Sequence, residues 1–310
     1  MTPDALLPAL TAHVRDTAHA RTGTCPCGAA TLADRPDATV VRHAGTVAKA
    51  HAADADPAGL ALRVAVAAGL PGIFLPPLRP APAGLRGRLV THWPYGTPVD
   101  PDAPDAAPWE AAATLLARLH RSPSPVAGLP PMRGPEKAAR AVALLGTTAP
   151  DHPATAPVLR AWAALPAWAR GQSAMPAPAV LCHGDLHLGQ LVRHPGPEGP
   201  WLLIDVDDLG TGVPAWDLAR PAAWYACGLL PSGEWDRFLG AYRAAGGPAV
   251  PREGDPWPAL DVPARALTAQ TAARAVTKAV AAGRPLDDVE GSLVDACARM
   301  ASVPPSSPPD

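Results

Sequence analysis

Apolar residues recur along this chain in two rhythms. From Pro3 to Ala20 the spacing of Leu6, Leu7, Leu10 and Val14 predicts a helix with one apolar face. The runs 38–43 (ATVVRH) and 46–51 (TVAKAH) are short and β-branched, and the Ala44-Gly45 link between them predicts a hairpin with Gly at the turn and Lys49 on the second strand. Asp56-Pro57 reads as the start of a helix over 58–68, stretch 69–82 as its break, and 87–92 as a further strand. A Pro- and Asp-rich stretch from Pro94 to Pro108 separates this part from one that is mostly helical, at 109–120, 136–145, 158–169, 215–227, 234–245, 263–282 and 288–300. Strand-like runs return only at 179–182 and 201–206. The expected organisation is a small strand-containing lobe at residues 1–93, a hinge and linker at 94–108, a helical lobe at 109–301, and a disordered Pro/Ser tail at 302–310.

Composition narrows the classes. Of 310 residues, 48% are apolar, enough for substantial cores, and the 42 prolines punctuate helical segments rather than forming polar tracts. A formal charge of -2 provides no global positive field for nucleic acid or anionic lipid. No apolar run approaches the roughly 18 residues of a membrane span, and no signal peptide is expected. The five cysteines, Cys25, Cys27, Cys182, Cys227 and Cys297, form no even disulfide ladder, so reduced thiols and a cytoplasmic location are expected. Cys25-Pro-Cys27 would ligate zinc only with a second pair of ligands, and none follows at finger spacing. Lysine occurs only at Lys49, Lys137 and Lys278, which makes each position informative.

The chemistry is concentrated in residues 183–217, which include HGDLHLGQL and WLLIDVDD. Asp185 and Gln190 lie in one loop and Asp205 ends an apolar strand, so three oxygen-bearing side chains can converge; hard oxygen ligands suit Mg²⁺ together with phosphate oxygens. A charge at Asp205 behind four apolar residues needs such a partner to offset its desolvation. Asp207 and Asp208 read equally as further ligands or as solvated turn residues before Gly210.

This segment resembles the catalytic loop of the aminoglycoside phosphotransferase-like kinases, and the resemblance extends over roughly residues 35–300. It implies a two-lobed, protein-kinase-like α+β fold, with a small antiparallel-sheet N-lobe that binds nucleotide and a larger, mainly helical C-lobe. It further implies Lys49 as the phosphate lysine, the stretch 91–96 (THWPYG) with His92, Trp93 and Tyr95 as the adenine-side hinge, and 116–120 (LARLH) as a helix end. Asp185 becomes the catalytic base or hydroxyl-orienting residue, Gln190 and Asp205 the magnesium ligands, and Asp217 a structural anchor; His183 and His187 stabilise the loop. The implied cofactors are ATP and Mg²⁺. The implied partner is a hydroxyl acceptor: an aminoglycoside-, sugar- or amino-alcohol-like small molecule, or a biosynthetic peptide.

The chain departs from that family at identifiable places. Gln190 stands where Asn is usual, although HGDLHLGQ resembles the loop of maltokinases, kinases of the same fold with Gln at this place. No GxGxxG loop precedes Lys49; Arg35-Pro36-Asp37-Ala38 occupies its position. The helix that normally offers Glu to the lysine shows Arg63 and Val64, and Asp54 or Asp56 is the nearest substitute. Those two departures motivate a second reading as a kinase-like scaffold that binds without turnover. A third, from the DxD matches at Asp54-Ala-Asp56 and Asp205-Val-Asp207, is a metal-dependent glycosyltransferase. Acidic residues at Asp100, Asp102, Asp105 and Glu110, and at Asp287, Asp288 and Glu290, are either attractants for a polycationic acceptor or helix-entry and linker acids.

Overall fold

The computed structural model describes residues 6–19 and 25–302, so the expected tail beyond Ser302 lies outside the described residues. In chain order the elements are α1 (Leu6–Ala18), β1 (Ala29–Arg35), β2 (Ala38–His43), β3 (Thr46–Ala50), α2 (Pro57–Gly69), β4 (Ala83–Leu85), β5 (Arg88–Pro94), β6 (Thr97–Pro98), α3 (Trp109–Arg121), α4 (Gly134–Thr148) and α5 (Thr155–Ala163). They continue with β7 (Val180–Cys182), β8 (Leu191–Arg193), β9 (Trp201–Leu203), β10 (Gly210–Gly212), α6 (Ala215–Ala226), α7 (Ser232–Ala244), α8 (Trp257–Ala281) and α9 (Asp288–Met300). Backbone proximity divides the chain into two compact units. The first comprises the N-terminal part through Ala106, with Ser124–Pro130 and Gly189–Asp207; the second holds Ala107–Pro123, Pro131–Leu188 and everything from Asp208. The catalytic-loop region is therefore shared out between them, a division that the expected single boundary at 94–108 does not contain.

The first unit is built on a five-stranded antiparallel sheet in the order β1-β2-β3-β5-β4. Strand alternation gives the sheet two unlike faces. Val41, Ala48, Ala50 and Val90 point one way and bury against Leu10 and Val14 of α1. Lys49, His51 and Trp93 point the other way and line a cavity. The hairpin between β2 and β3 forms as expected, but Ala44 with φ of 51° takes the left-handed turn conformation, not Gly45. Strand β1 went unforeseen because AATLADR lacks apolar alternation; six of its seven positions are exposed, and an edge strand needs only backbone pairing with β2. Helix α2 starts where Asp56 predicts, its carboxylate accepting the N–H groups of Ala58 at 3.1 Å and Gly59 at 2.8 Å. A second sheet, β6-β8-β9, completes the unit, with Leu75, Val192 and Leu202 packed together.

In the second unit α8 is the longest helix, 25 residues, and its small buried positions Ala269, Ala272, Ala273 and Val276 pack against residues of α4, α5 and α9. It begins at Trp257, six residues before the expected start, which puts Pro263 inside the helix at the loss of one backbone hydrogen bond. Strands β7 and β10 pair antiparallel, Cys182 with Gly210, and the catalytic-loop sequence leaves β7 directly. Among the described residues no helix is long and apolar enough to cross a membrane.

Candidate active site

Lys49 stands near the end of β3, opposite Thr91 of β5 and Val40 of β2. Its ammonium lies 2.7 Å from Asp205 Oδ1 and 2.9 Å from Asp207 Oδ2. Burial opposes the charge on Lys49, yet the two carboxylates outweigh it and raise its pKa above the ordinary lysine value. Burial likewise pushes both aspartates up, while Lys49 holds them below the usual carboxylate range. Asp205 follows β9 with φ of 66°, a left-handed conformation that Asp tolerates, and its side chain accepts the Asp207 N–H at 3.1 Å. This local turn aims both acids at the same lysine. Neither Asp54 nor Asp56 substitutes for the missing helix Glu: Asp56 is committed to capping α2, and the second carboxylate on Lys49 is Asp207.

A chain of side chains crosses the same face of the sheet. Trp93 Nε1 donates to Thr91 Oγ1 at 2.9 Å, and Thr91 Oγ1 lies 2.8 Å from His51 Nε2. Indole is only a donor, so the Thr91 hydroxyl accepts from Trp93. His51 Nδ1 in turn sits 2.8 Å from Asp207 Oδ1 and, after Lys49, helps to hold that carboxyl below the usual range. Gln190, brought round by the turn before β8, approaches Asp205 Oδ2 at 3.5 Å through its amide group. Gln190, Asp205 and Asp207 carry side-chain oxygens of the hard kind that Mg²⁺ takes, and the Gln190 amide, which here turns its nitrogen to Asp205, would present its oxygen after a flip.

These residues wall a cavity of about 390 Å³. Its apolar lining includes Val40 and Val47 from the sheet, Val192 from the second sheet and Ile204 just after β9, with Trp93 and Tyr95 also in the wall. Arg35, at the end of β1 beside the Pro36-Asp37 turn, lines it as well. The Tyr95 N–H donates to the Gly45 carbonyl at 2.8 Å, and the Arg42 guanidinium covers its ring at 3.5 Å. His92 is corrected: strand alternation turns it onto the α1 face, where its Nε2 lies 2.9 Å from His13 Nε2, and it does not line the cavity.

The second unit holds Asp185. Its Oδ2 is 2.6 Å from Lys137 Nζ on α4, and its Oδ1 is 2.8 Å from Arg220 Nη2 on α6. Burial pushes Asp185 up, but Lys137 and Arg220 outweigh it and hold its pKa at about 2. Lys137 also lies 2.7 Å from Asp208 Oδ2. His187 is pushed down to about 4, chiefly by burial, so it is neutral at pH 7. In the sequence Asp208 has two readings, as a further ligand or a turn residue, and Lys137 is marked only through the rarity of lysine, while Arg220, one arginine among many, is not singled out.

Asp217 lies under this loop, buried at 1% exposure. Its carboxylate accepts the N–H groups of His183 at 2.6 Å and Gly184 at 2.7 Å, and lies 3.0 Å from His120 Nε2. The direction of the network follows from Tyr242. Its hydroxyl accepts the Ala249 N–H at 3.0 Å, and burial raises its pKa, so it keeps its proton and donates to His120 Nδ1 at 2.7 Å. His120 is left with an Nε2–H for Asp217. Gly184, at φ of 86°, brings the loop against the Asp208 carbonyl, and a Cβ there would collide with it. Four of the seven acids considered as attractants for a polycation have local partners: Glu110 pairs with Arg237, Glu290 pairs with Arg284, Asp287 caps α9, and Asp100 accepts the Asp102 N–H.

The profile of the phosphotransferase enzyme family matches residues 33–257. No curated protein matches the chain. Among solved structures, a choline/ethanolamine kinase family protein from Mesorhizobium loti is 16% identical, with a TM-score of 0.57 over 94% of this chain and 96% of that one. A macrolide 2'-phosphotransferase from Brachybacterium faecium is 18% identical, with a TM-score of 0.51 over 98% and 99%. A thermostable mutant of an aminoglycoside phosphotransferase, in ternary complex with AMP-PNP and hygromycin B, is 13% identical, with a TM-score of 0.59 over 93% and 99%.

Proposed function

The chain belongs to the phosphotransferase enzyme family, and from that premise we propose that it moves the γ-phosphoryl group of ATP to a hydroxyl of a small molecule. The observation that carries this reading is Lys49, paired with Asp205 on the wall of a cavity whose volume is that of a nucleotide-sized ligand site. In the proposal the adenine enters between Val40 and Val47 on one side and Val192 and Ile204 on the other, beside Trp93 and Tyr95. Lys49, kept protonated by its carboxylates, holds the phosphates, and Arg35 supplies a second positive charge where the glycine loop is missing. Gln190, through its amide oxygen, together with Asp205 and Asp207 would hold Mg²⁺, which when bound neutralises phosphate charge and stabilises the transferring group.

Asp185 has the role of orienting the acceptor. A carboxyl held at about 2 is fully ionised at neutral pH and too weak a base to take the proton early. It accepts the hydrogen bond of the attacking hydroxyl and aims its oxygen, which suffices for a loose phosphoryl-transfer transition state. The local charge also bears on the acceptor. Asp185 and Asp208 are balanced by Lys137 and Arg220, and His187 is neutral, so a neutral hydroxylated molecule is better matched here than a polycation.

The test is a mass-shift screen of neutral sugars, amino alcohols and aminoglycosides with ATP and Mg²⁺. Addition of one phosphate to a neutral acceptor, abolished by Asp185→Ala, is the expected result. Absence of Mg-nucleotide binding at millimolar concentration, or full turnover by Asp185→Ala, overturns the proposal. The glycine-free Pro36-Asp37 turn favours one second reading, nucleotide binding without turnover, which ATP protection against unfolding without consumption would establish.

A further inference from the structure

Outside the cavity and the Asp185 loop, one cluster of metal-binding side chains has no role in phosphoryl transfer. His19 follows the end of α1, His43 ends β2 on the buried face of the sheet, and Cys25 and Cys27 precede β1. His19 Nε2 lies 2.9 Å from Cys25 Sγ and 3.1 Å from His43 Nε2. The three ligand atoms all lie within 4.8 Å of one another. Cys27 is exposed beside them, and its backbone N–H donates to Cys25 Sγ at 3.1 Å, which leaves its own thiol a turn of the side chain away from the group.

Hydrogen bonding alone does not account for this convergence. A neutral imidazole nitrogen carries either one proton or one lone pair, so His19 Nε2 can satisfy Cys25 or His43 but not both. The other contact is then a bent, shared one that competes with the first. A cation at the centre removes the conflict, because every lone pair then points at it. For zinc, bonds of about 2.0 Å to nitrogen and about 2.3 Å to sulfur at tetrahedral angles put two nitrogens about 3.3 Å apart and nitrogen about 3.5 Å from sulfur. The observed separations reach these values by opening only about 0.2–0.6 Å.

We propose that His19, Cys25, Cys27 and His43 form a structural zinc site that fastens the C-terminal end of α1 to the sheet of the first unit. The second ligand pair that Cys25-Pro-Cys27 lacks at finger spacing is supplied through the fold, one histidine from a helix end and the other from a strand. Four protein ligands leave no open position, which makes the site structural rather than catalytic. An open surface cavity of about 610 Å³, lined by Cys25, Cys27 and His43, gives the metal a way in. On binding, both thiols lose their protons to solvent and the imidazoles coordinate in the neutral form.

The test uses the untagged full chain, purified without chelator and under reductant, with zinc measured by plasma mass spectrometry after exhaustive dialysis. Stoichiometric zinc is expected, lost in Cys25→Ser and in His19→Asn and retained in Cys227→Ser. Replacement by Co²⁺ should give tetrahedral visible bands and a thiolate charge-transfer band that Cys25→Ser lacks. Because a variant can fail by misfolding, the wild-type chain is also melted with and without a strong chelator; its midpoint should fall with chelator and recover with zinc. A wild-type chain holding no more zinc than Cys25→Ser, or a metal-free chain with Cys25 and Cys27 joined as a disulfide, would overturn the proposal.

Discussion

Asp207 takes up the second side of the Lys49 ammonium at 2.9 Å, the position for which α2 offers no glutamate. At the corresponding part of α2 stands Arg63, buried and close to Asp56 at the start of the same helix. The lysine is thus positioned from the strand-end turn at 205–207 instead of from a helix, and His51 backs the arrangement from β3 outward.

Asp207→Asn tests that substitution of one support for another. A hydrogen bond to a charged group contributes about 1.5–3 kcal/mol, so the KM for ATP should rise roughly 10- to 100-fold. The KM for the acceptor should stay unchanged, since Asp207 belongs to the first unit and Asp185 to the second. Steady-state kinetics with each substrate varied separately makes the check. An unchanged KM for ATP would mean that Asp205 alone positions Lys49.

The pH dependence follows from Asp185. Its folded-state pKa is depressed to about 2, so its contributions to activity and to stability are present above the unfolded carboxylate value of about 3.9 and are lost as pH falls toward 2. Lys137→Met removes the nearer cation at 2.6 Å and lets burial raise the carboxyl. The acid limb of kcat/KM should then move to higher pH than in wild type, with the plateau near pH 7 to 8 lowered because the carboxylate is less well held. Superimposable acid limbs would exclude Lys137 as the group that keeps Asp185 ionised.

Arg35 provides the test of the missing glycine loop. Its side chain is largely exposed, so its pairing with Asp37 at 4.0 Å adds little and leaves the guanidinium available to phosphate. Arg35→Ala should weaken ATP binding several-fold, by about 1 kcal/mol, with little effect on the melting midpoint. Titration with ATP and with adenosine separates the cases: a phosphate contact predicts loss for ATP and none for adenosine.

What the sequence revealed followed the strength of local signals. The hairpin carrying Lys49 was legible from β-branched runs around a Gly-containing link, and α2 from its Asp-Pro start. The β1 strand was not, because its seven residues bury almost nothing and are held by backbone pairing to β2. In the site, Asp185, Gln190 and Asp205 could be read from an ordered motif. Lys137 and Arg220 could not, since they reach Asp185 from 48 and 35 positions away along helices whose faces look ordinary. His92 shows the reverse error: it shares a motif with Trp93 and Tyr95, but a period of two residues turns it toward α1. The clustering of His19 and His43 with Cys25 has the same origin as the Lys137 contact, since spacing in the chain does not reveal which residues a sheet and a helix bring together.

Asp217 supplies a last prediction, in which stability and activity separate. Asp217→Ala leaves the N–H groups of His183 and Gly184 and the Nε2–H of His120 buried without an acceptor; at about 1–3 kcal/mol each, the loss should be roughly 3–9 kcal/mol, and ordered water that enters the gap would bring it toward the lower figure. Asp217→Asn retains one carbonyl oxygen in nearly the same place but turns an NH₂ group toward donors, so it should fall between wild type and Asp217→Ala in chemical denaturation. Tyr242→Phe breaks the network at its far end, leaving the Ala249 N–H without its acceptor and His120 Nδ1 without its donor, at a cost of about 1–3 kcal/mol. If Asp217 acts by holding the loop that carries Asp185, Asp217→Asn lowers kcat while the KM for ATP stays constant, because the nucleotide cavity draws no wall from this network. Equal changes in kcat and in the KM for ATP would instead indicate general destabilisation, and the positioning role would fail.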